Sequence, residues 1–386
     1  MTPAARTQAA IELLDAIIAA ARDNGAAADT LIHRYFAQRR YAGSKDRRAV
    51  RELVYAAMRS CGERPASGRA AMLRLAGADP ALAATFDGSM HGPVPVAPEE
   101  EPAAGGIAPA WLLDRLAAAG LDPAEQDALI ARAPLDVRLN RLVDSTTELG
   151  REPIPGLADG RRLPAGTDLS RFGGLVEVQD AGSQIVTLAA SARPGERVVD
   201  LCAGAGGKTL ALAAAMANQG EILACDTDRG RLSRLLPRAA AAGVTIATTR
   251  LLDPGRELEA LADWRGRADT VLIDAPCSGT GTWRRNPEAR WRLTPERLAR
   301  LAATQARLLD VGAELVRPGG ALVYIVCSLL DQEGPDQAAA FAARRPGWFP
   351  VPLHLPAGRP RGPGLRLTPA SDATDGFFVA RFTAPC

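Results

Sequence analysis

Four short apolar runs constrain the fold of this chain more than any other feature. They are Val198-Val-Asp-Leu201, Glu221-Ile-Leu-Ala-Cys-Asp226, Thr270-Val-Leu-Ile-Asp274 and Ala321-Leu-Val-Tyr-Ile-Val326, and helical stretches at 210–217, 228–241 and 295–316 separate them. Each run is rich in β-branched residues and strand-like in length. Strands apolar along their whole length are buried on both faces, so 179–386 reads as an α/β domain with a mostly parallel sheet and helices on both faces. Such sheets bind ligands beyond the carboxyl ends of their strands, where the strand order reverses. The loops after these runs are therefore where chemistry is expected.

Upstream, residues 1–90 read as all-helical, because Ile11, Leu14, Ile17 and Ile18, and later Val50, Leu53, Val54, Ala57 and Met58, recur at helical spacing. Residues 91–106 combine prolines, the acid run at 99–101 and glycines, and are predicted to be a linker. Within 107–178 the pattern gives a helix from Trp111 to Ala119, a second from Asp122-Pro123, and a short strand from Asp136 to Asn140. Gly/Pro/Arg-rich loops are expected near 150–175.

The 386 residues are 47% hydrophobic and 23% charged, the balance of a globular protein, without an apolar run long enough to span a membrane. Glu12 and Asp15 interrupt the apolar start, so no leader is expected and the reading places the protein in the cytoplasm. Six cysteines without a CxxC pair and three histidines offer no metal set and argue against a histidine-based triad. The chemistry must come from carboxylates, cysteines, a lysine or a cofactor.

A formal net charge of +2 conceals three basic segments. Arg34, Arg39, Arg40, Lys45, Arg47, Arg48 and Arg51 face a single acid, Asp46; Arg284, Arg285, Arg290, Arg292, Arg297 and Arg300 form the second; Arg344 to Arg366 holds the third. Local basic surfaces in a near-neutral chain point to an anionic polymer as partner.

The first apolar run leads into Asp200-Leu-Cys-Ala-Gly-Ala-Gly-Gly-Lys-Thr209, where glycines permit a tight turn and close backbone approach at a helix N-terminus. The spacing is not that of a Walker loop. The second run ends in Asp226, placed to accept hydrogen bonds from ribose hydroxyls, which together with the loop suits an adenosyl cofactor. The third run enters Asp274-Ala-Pro-Cys-Ser278 and the fourth Cys327-Ser328, so a cysteine followed by serine stands after each of two strand ends. Lys45 and Lys208 are the lysines among 46 basic residues, and Lys208 lies in the glycine loop, where a compact ammonium does what a planar guanidinium cannot.

With Val178-Gln-Asp180, Asp253, Arg285-Asn-Pro287, Trp291 and Asp375-Gly-Phe-Phe378, these motifs resemble in order the RsmB/Sun family of S-adenosylmethionine-dependent RNA cytosine-C5 methyltransferases. Residues 1–90, through Ser44 to Tyr55, resemble a NusB-like RNA-binding domain. The resemblance implies a Rossmann-like class I methyltransferase domain at 179–386, an intermediate RNA-binding subdomain at 107–178, and 16S rRNA as substrate. It also implies that Cys202, Ala203, Gly204, Ala205, Gly206, Gly207, Lys208, Asp226, Asp253 and Asp274 hold the cofactor. Cys327 would be the nucleophile and Cys277 the cysteine that helps eliminate it, with Lys208 and Asp274 also at the base. The chain departs from the family at Gly204-Ala205, where many relatives have Ala-Pro, and at Glu333-Gly334, where Glu-Asn is usual.

The assignment is chemically coherent. C5 of cytosine is a poor nucleophile until a thiolate adds to C6, and the adduct persists until the C5 proton leaves. Asp274 can read the amino/N3 edge of the base, and Lys208 or the cofactor's sulfonium can favour a thiolate. Arg284, Arg285, Arg290 and Arg292, with Arg47 and Arg48 on the first basic segment, are expected to meet RNA phosphates. The target would be splayed from its stack, with Phe377 or Phe378 available to stack on it. RNA is the expected partner, without membrane or metal, and a monomer is expected. The alternatives are a tRNA cytosine-C5 methyltransferase and an inactive ribosome-assembly factor; a DNA-type enzyme would attack with the cysteine of the Pro-Cys loop instead.

Overall fold

A computed structural model describes residues 1–23, 25–143, 149 and 152–386. The chain forms two compact units, one of 1–132 with 282–294, the other of 133–281 with 295–386.

The first unit is helical, as expected. Thr2 caps the helix Pro3–Arg22 by accepting from the Ala5 amide, and Ser67, Asp79 and Asp122 cap later helices in the same way. The helices Pro3–Arg22, Ala28–Ala37, Ser44–Ser60 and Gly68–Ala76 enclose Leu13, Leu14, Ile17, Phe36, Val54, Met58 and Met72. Residues 91–106 do not hang free as a linker. Arg69 donates to the Val94 and Pro95 carbonyls and pairs with Glu100, the Ala103 amide bonds to Ala70, and Gly105 bridges Cys61. The division from the second unit falls after Arg132 instead of near 106.

The segment 282–294 returns to this unit and joins its core through Trp291. Arg290 is fully buried, and its Nη2 donates to the carbonyls of Met58 (2.6 Å), Cys61 (2.8 Å) and Arg59 (3.3 Å) at the end of Ser44–Ser60. These carbonyls include the orphan acceptors of a helix C-terminus, and a guanidinium is a strong donor for them. Glu288 does the converse, accepting from the Ala28 amide at the start of Ala28–Ala37.

The second unit holds two sheets. In the smaller one, strands β1 (Leu135–Leu139), β2 (Glu152–Pro153), β3 (Gly160–Leu163) and β4 (Val176–Val178) pair antiparallel in the order β2-β3-β1-β4. The expected strand at 136–140 is therefore one of four, and the stretch expected as loop is mostly loop but carries the two short strands β2 and β3; positions 150 and 151 lie outside the described residues. Buried Asp136 fastens the sheet by accepting from Arg162 Nε (2.8 Å) and Nη2 (3.0 Å).

The larger sheet takes β5 (Arg197–Asp200), β6 (Glu221–Asp226), β7 (Ala247–Leu251), β8 (Ala268–Asp274), β9 (Val316–Val326), β10 (Phe349–Pro350), β11 (Arg359–Arg361), β12 (Gly364–Leu367) and β13 (Phe377–Thr383). Its order is β11-β12-β13-β9-β8-β5-β6-β7, with β10 beside β13. Strands β5 to β9 are parallel, and the antiparallel β13 lies against β9. Each apolar run feeds two cores: Val198, Ala224, Leu272 and Val323 face one side, and Val199, Cys225, Val271 and Tyr324 face the other. From β5 the chain winds outward through β6 and β7, then returns to β8 on the opposite side of β5. The strand order thus reverses between β5 and β8.

Candidate active site

The residues after β5, β6, β7, β8 and β9 meet along one sheet edge. In the loop after β5, Gly204 and Gly206 have φ of +56° and +90°, values that strain any residue with a Cβ. The loop is fastened by the Ala203 amide to the Cys225 carbonyl (2.7 Å) and by the Gly204 amide to Asp226 Oδ2 (2.7 Å). Asp226 Oδ1 accepts from the Asp228 amide, and it is Asp228 that caps the following helix. Gly207 opens the helix Gly207–Ala215 with its outer side clear: a Cβ there would meet nothing within 4 Å. Asp253, just past β7, is exposed at the neighbouring strand end. Cys202 is a neutral thiol, because burial and then the charges of Asp200, Asp226 and Asp274 push its pKa well up.

Lys208 crosses from this loop to the end of β8, where its Nζ donates to Asp274 Oδ2 at 2.6 Å and lies 5.6 Å above the ring of Phe377. Burial opposes its charge, yet Asp274 outweighs that and raises its pKa, so the ammonium persists. Beyond Asp274, Cys277 Sγ and Cys327 Sγ stand 3.3 Å apart as free cysteines. The interaction with Cys327, followed by burial, raises the Cys277 pKa well above its usual value, so Cys277 keeps its proton. A thiolate at Cys327 would accept from it.

Two groups at this edge escaped the sequence reading. Asp200, completely buried at the end of β5, accepts from Thr209 Oγ1 at 2.7 Å through one oxygen, and among the described residues its Oδ1 has no partner. Burial pushes its pKa up to about 7, with Thr209 opposing and Asp274 adding to the rise. Its place at the mouth of the glycine loop was a legible signal. The second is Glu333, buried behind both cysteine loops; it lies six residues past Cys327, in the Glu-Gly pair that stands where the family has Glu-Asn, and that motif was the signal that could have marked it.

Other matched motifs have structural roles. Asp180 caps Ala181–Thr187 and accepts from the Asp375 amide, and Gln179 accepts from Arg138. Gly376 lies where the tail crosses the Cys277 loop: its amide donates to Gly281 at 2.8 Å, and a Cβ on Gly281 would fall 2.1 Å from the Gly376 carbonyl oxygen. Phe377 and Phe378 are both buried, Phe378 against Tyr324, so neither offers a free face to a base.

The expected phosphate contacts divide. Arg290 is excluded, since its guanidinium is consumed by backbone carbonyls, and Arg284 is buried in the same segment. Half-buried Arg292 donates to the carbonyls of Gly25 and Ala26, while Arg285 is partly exposed. Arg47 and Arg48 lie exposed on Ser44–Ser60. Among the described residues, Arg34, Arg40, Lys45 and Arg48 are exposed without an ion pair.

Residues 187–383 match the family model described as 16S rRNA methyltransferase RsmB/F. A ribosomal RNA small subunit methyltransferase B from Thermus thermophilus is 38% identical over 292 residues, covering 74% of this chain and 68% of the relative. The chain spans about two thirds of the length of the curated relatives it matches. The crystal structure of PH0851 shares the fold at a TM-score of 0.74 and 24% identity, covering 99% of both chains. NSun6 from Pyrococcus horikoshii, crystallised with SFG, aligns at a TM-score of 0.51 and 27% identity over 57% of this chain and 56% of its own. With the family model spanning β5 through β13, and with both cysteines and the glycine loop inside it, the chain belongs to the RsmB/F family of 16S rRNA methyltransferases.

Proposed function

We propose that the protein transfers a methyl group from S-adenosylmethionine to C5 of a cytosine in 16S rRNA, with Cys327 as nucleophile. The observation that carries this reading is the pair of sulfurs 3.3 Å apart at the ends of adjacent parallel strands, beside the Lys208–Asp274 pair. Family membership and the unpaired cationic face around Arg48 support an rRNA substrate.

The residues present fit an adenosyl cofactor. Gly207 leaves room for close approach, Asp226 has lone pairs beyond its two backbone bonds for ribose hydroxyls, and Asp253 stands exposed at the next strand end. When bound, S-adenosylmethionine supplies an electrophilic methyl group. Cys327 adds as thiolate to C6, which breaks the C5=C6 double bond and places electron density on C5. Asp274 accepts from the cytosine amino group, and Lys208 fixes that carboxylate. C5 takes the methyl, loses its proton to a base, and the C6–S bond breaks to restore the ring. Cys277, holding its proton against Cys327, stands where that elimination needs it.

The test uses total RNA from cells lacking the gene, incubated with the protein and S-adenosylmethionine and then read by bisulfite sequencing. Newly protected cytosines in 16S rRNA are expected. Protection confined to tRNA would move the substrate, and none at all would overturn the activity.

A further inference from the structure

Behind the two sulfurs, the loops that carry them are joined through one buried carboxylate. Glu333 is fully buried, and among the described residues it forms no ion pair. Its Oε1 accepts from the Ser278 amide (2.9 Å) and Gln305 Nε2 (3.0 Å), and its Oε2 accepts from Ser328 Oγ (2.6 Å). Ser278 and Ser328 are the residues directly after Cys277 and Cys327, and Ser278 Oγ donates to Ser328 Oγ at 3.1 Å. Thr280 Oγ1 closes the network, 3.2 Å from Ser328 Oγ and accepting from the Leu329 amide. Tyr324 on β9 donates to the Glu333 carbonyl.

A carboxylate sealed from water without a cation is costly, and apolar side chains of equal volume would stabilise such a site better. Its neutral donors come from both cysteine loops and from the helix Pro295–Leu315 behind them. The arrangement specifies geometry at the expense of stability. We infer that Glu333 is the positioning residue for the two-cysteine reaction, holding Cys277 against Cys327 through Ser278 and Ser328. This inference rests on the catalytic reading of both cysteines. The Glu333 charge also adds to the upward shift of the Cys277 thiol, after the larger effects of Cys327 and burial. Turnover then depends on Glu333 twice, for the sulfur spacing and for the proton on Cys277.

Glu333→Gln keeps the volume and one acceptor but forces the Ser328 hydroxyl to turn from donor to acceptor. The variant is predicted to lose roughly 10- to 100-fold in kcat with little change in KM for either substrate, the scale of a small misplacement of reacting groups. Two further readouts separate positioning from mere support of the fold. A protein–RNA adduct through Cys327 accumulates in the steady state, and the alkaline limb of the kcat–pH profile moves to lower pH as Cys277 loses the neighbouring charge. Ser328→Ala, which removes one arm and keeps the carboxylate, is predicted to accumulate adduct to a lesser degree. It decides the matter if Glu333→Gln fails to bind S-adenosylmethionine and so has not folded. Wild-type kcat without adduct in Glu333→Gln, or in Ser328→Ala where the first variant is unfolded, would overturn the inference while an adduct in Cys277→Ala left the two-cysteine reading standing. Absence of an adduct in an active Cys277→Ala would bring down both.

Discussion

Asp200 makes the local environment visible as a dependence on pH. Its pKa near 7 in the native protein compares with about 3.8 for an exposed aspartate, so the folded state holds this proton more tightly than the unfolded chain. Stability therefore falls as pH rises from about 4 to 7, and above 7 the full cost of burying the charge is present, roughly 4 kcal/mol at the 1.4 kcal/mol per unit of such shifts. Asp200→Asn keeps an acceptor for Thr209 and removes the titration. Urea unfolding at pH 5 and pH 8 should show the wild type losing stability relative to Asp200→Asn on going to pH 8. A difference between the two proteins that does not change with pH would contradict the assignment. At this scale the sequence was informative about position, since Asp226, Asp274 and Cys327 stand at strand ends as their motifs imply. For Glu333 it offered only the Glu-Gly pair in place of the family's Glu-Asn and no role, since its partners Ser278 and Gln305 lie far away in the chain.

Among elements, β5, β6, β8 and β9 were legible because burial on both faces makes each a continuous apolar run. Of the small sheet only β1 was, since β3 reads Gly-Arg-Arg-Leu and is fastened by Arg162 on Asp136 instead of by an apolar face. Arginine content misled the reading of 282–294 for a related reason: charge in a sequence suggests solvent, yet Arg290 ends as a helix cap beside Trp291. The interleaved tryptophans 283 and 291, both buried, were the available warning. The two arginine classes predict different phenotypes. Replacing Arg34, Arg40, Lys45 and Arg48 together by glutamine should leave thermal stability nearly unchanged and lower the slope of log affinity against log salt by up to about 3, at roughly 0.7 per phosphate on single strands. Arg290→Ala should instead destabilise the helical unit by about 2–5 kcal/mol, because buried carbonyls lose their donor. An unchanged salt slope in the fourfold variant would show that this face is merely solvated.

At the scale of the whole chain, the order of elements in 179–386 was readable, whereas the domain partition was not. Proline and acid content suggested a linker at 91–106, but Arg69 satisfies the carbonyls and carboxylate of that stretch and packs it into the helical unit. No local signal announces that 282–294, inserted between β8 and Pro295–Leu315, belongs to the other unit. The insertion begins one residue after Gly281, at the end of the loop that carries Cys277. The catalytic account rests on the two sulfurs that this loop and the end of β9 bring together.

The most direct test of that account separates the cysteines. Each of Cys327→Ala and Cys277→Ala is incubated with target RNA and S-adenosylmethionine and run on a denaturing gel. The account predicts that Cys327→Ala neither methylates nor forms an adduct, because C5 is never activated. Cys277→Ala should methylate once and remain bonded to its RNA through Cys327, migrating as a protein–RNA species. An adduct with Cys327→Ala and none with Cys277→Ala would reverse the assignment, and methylation intact in both without any adduct would show that neither thiol is catalytic.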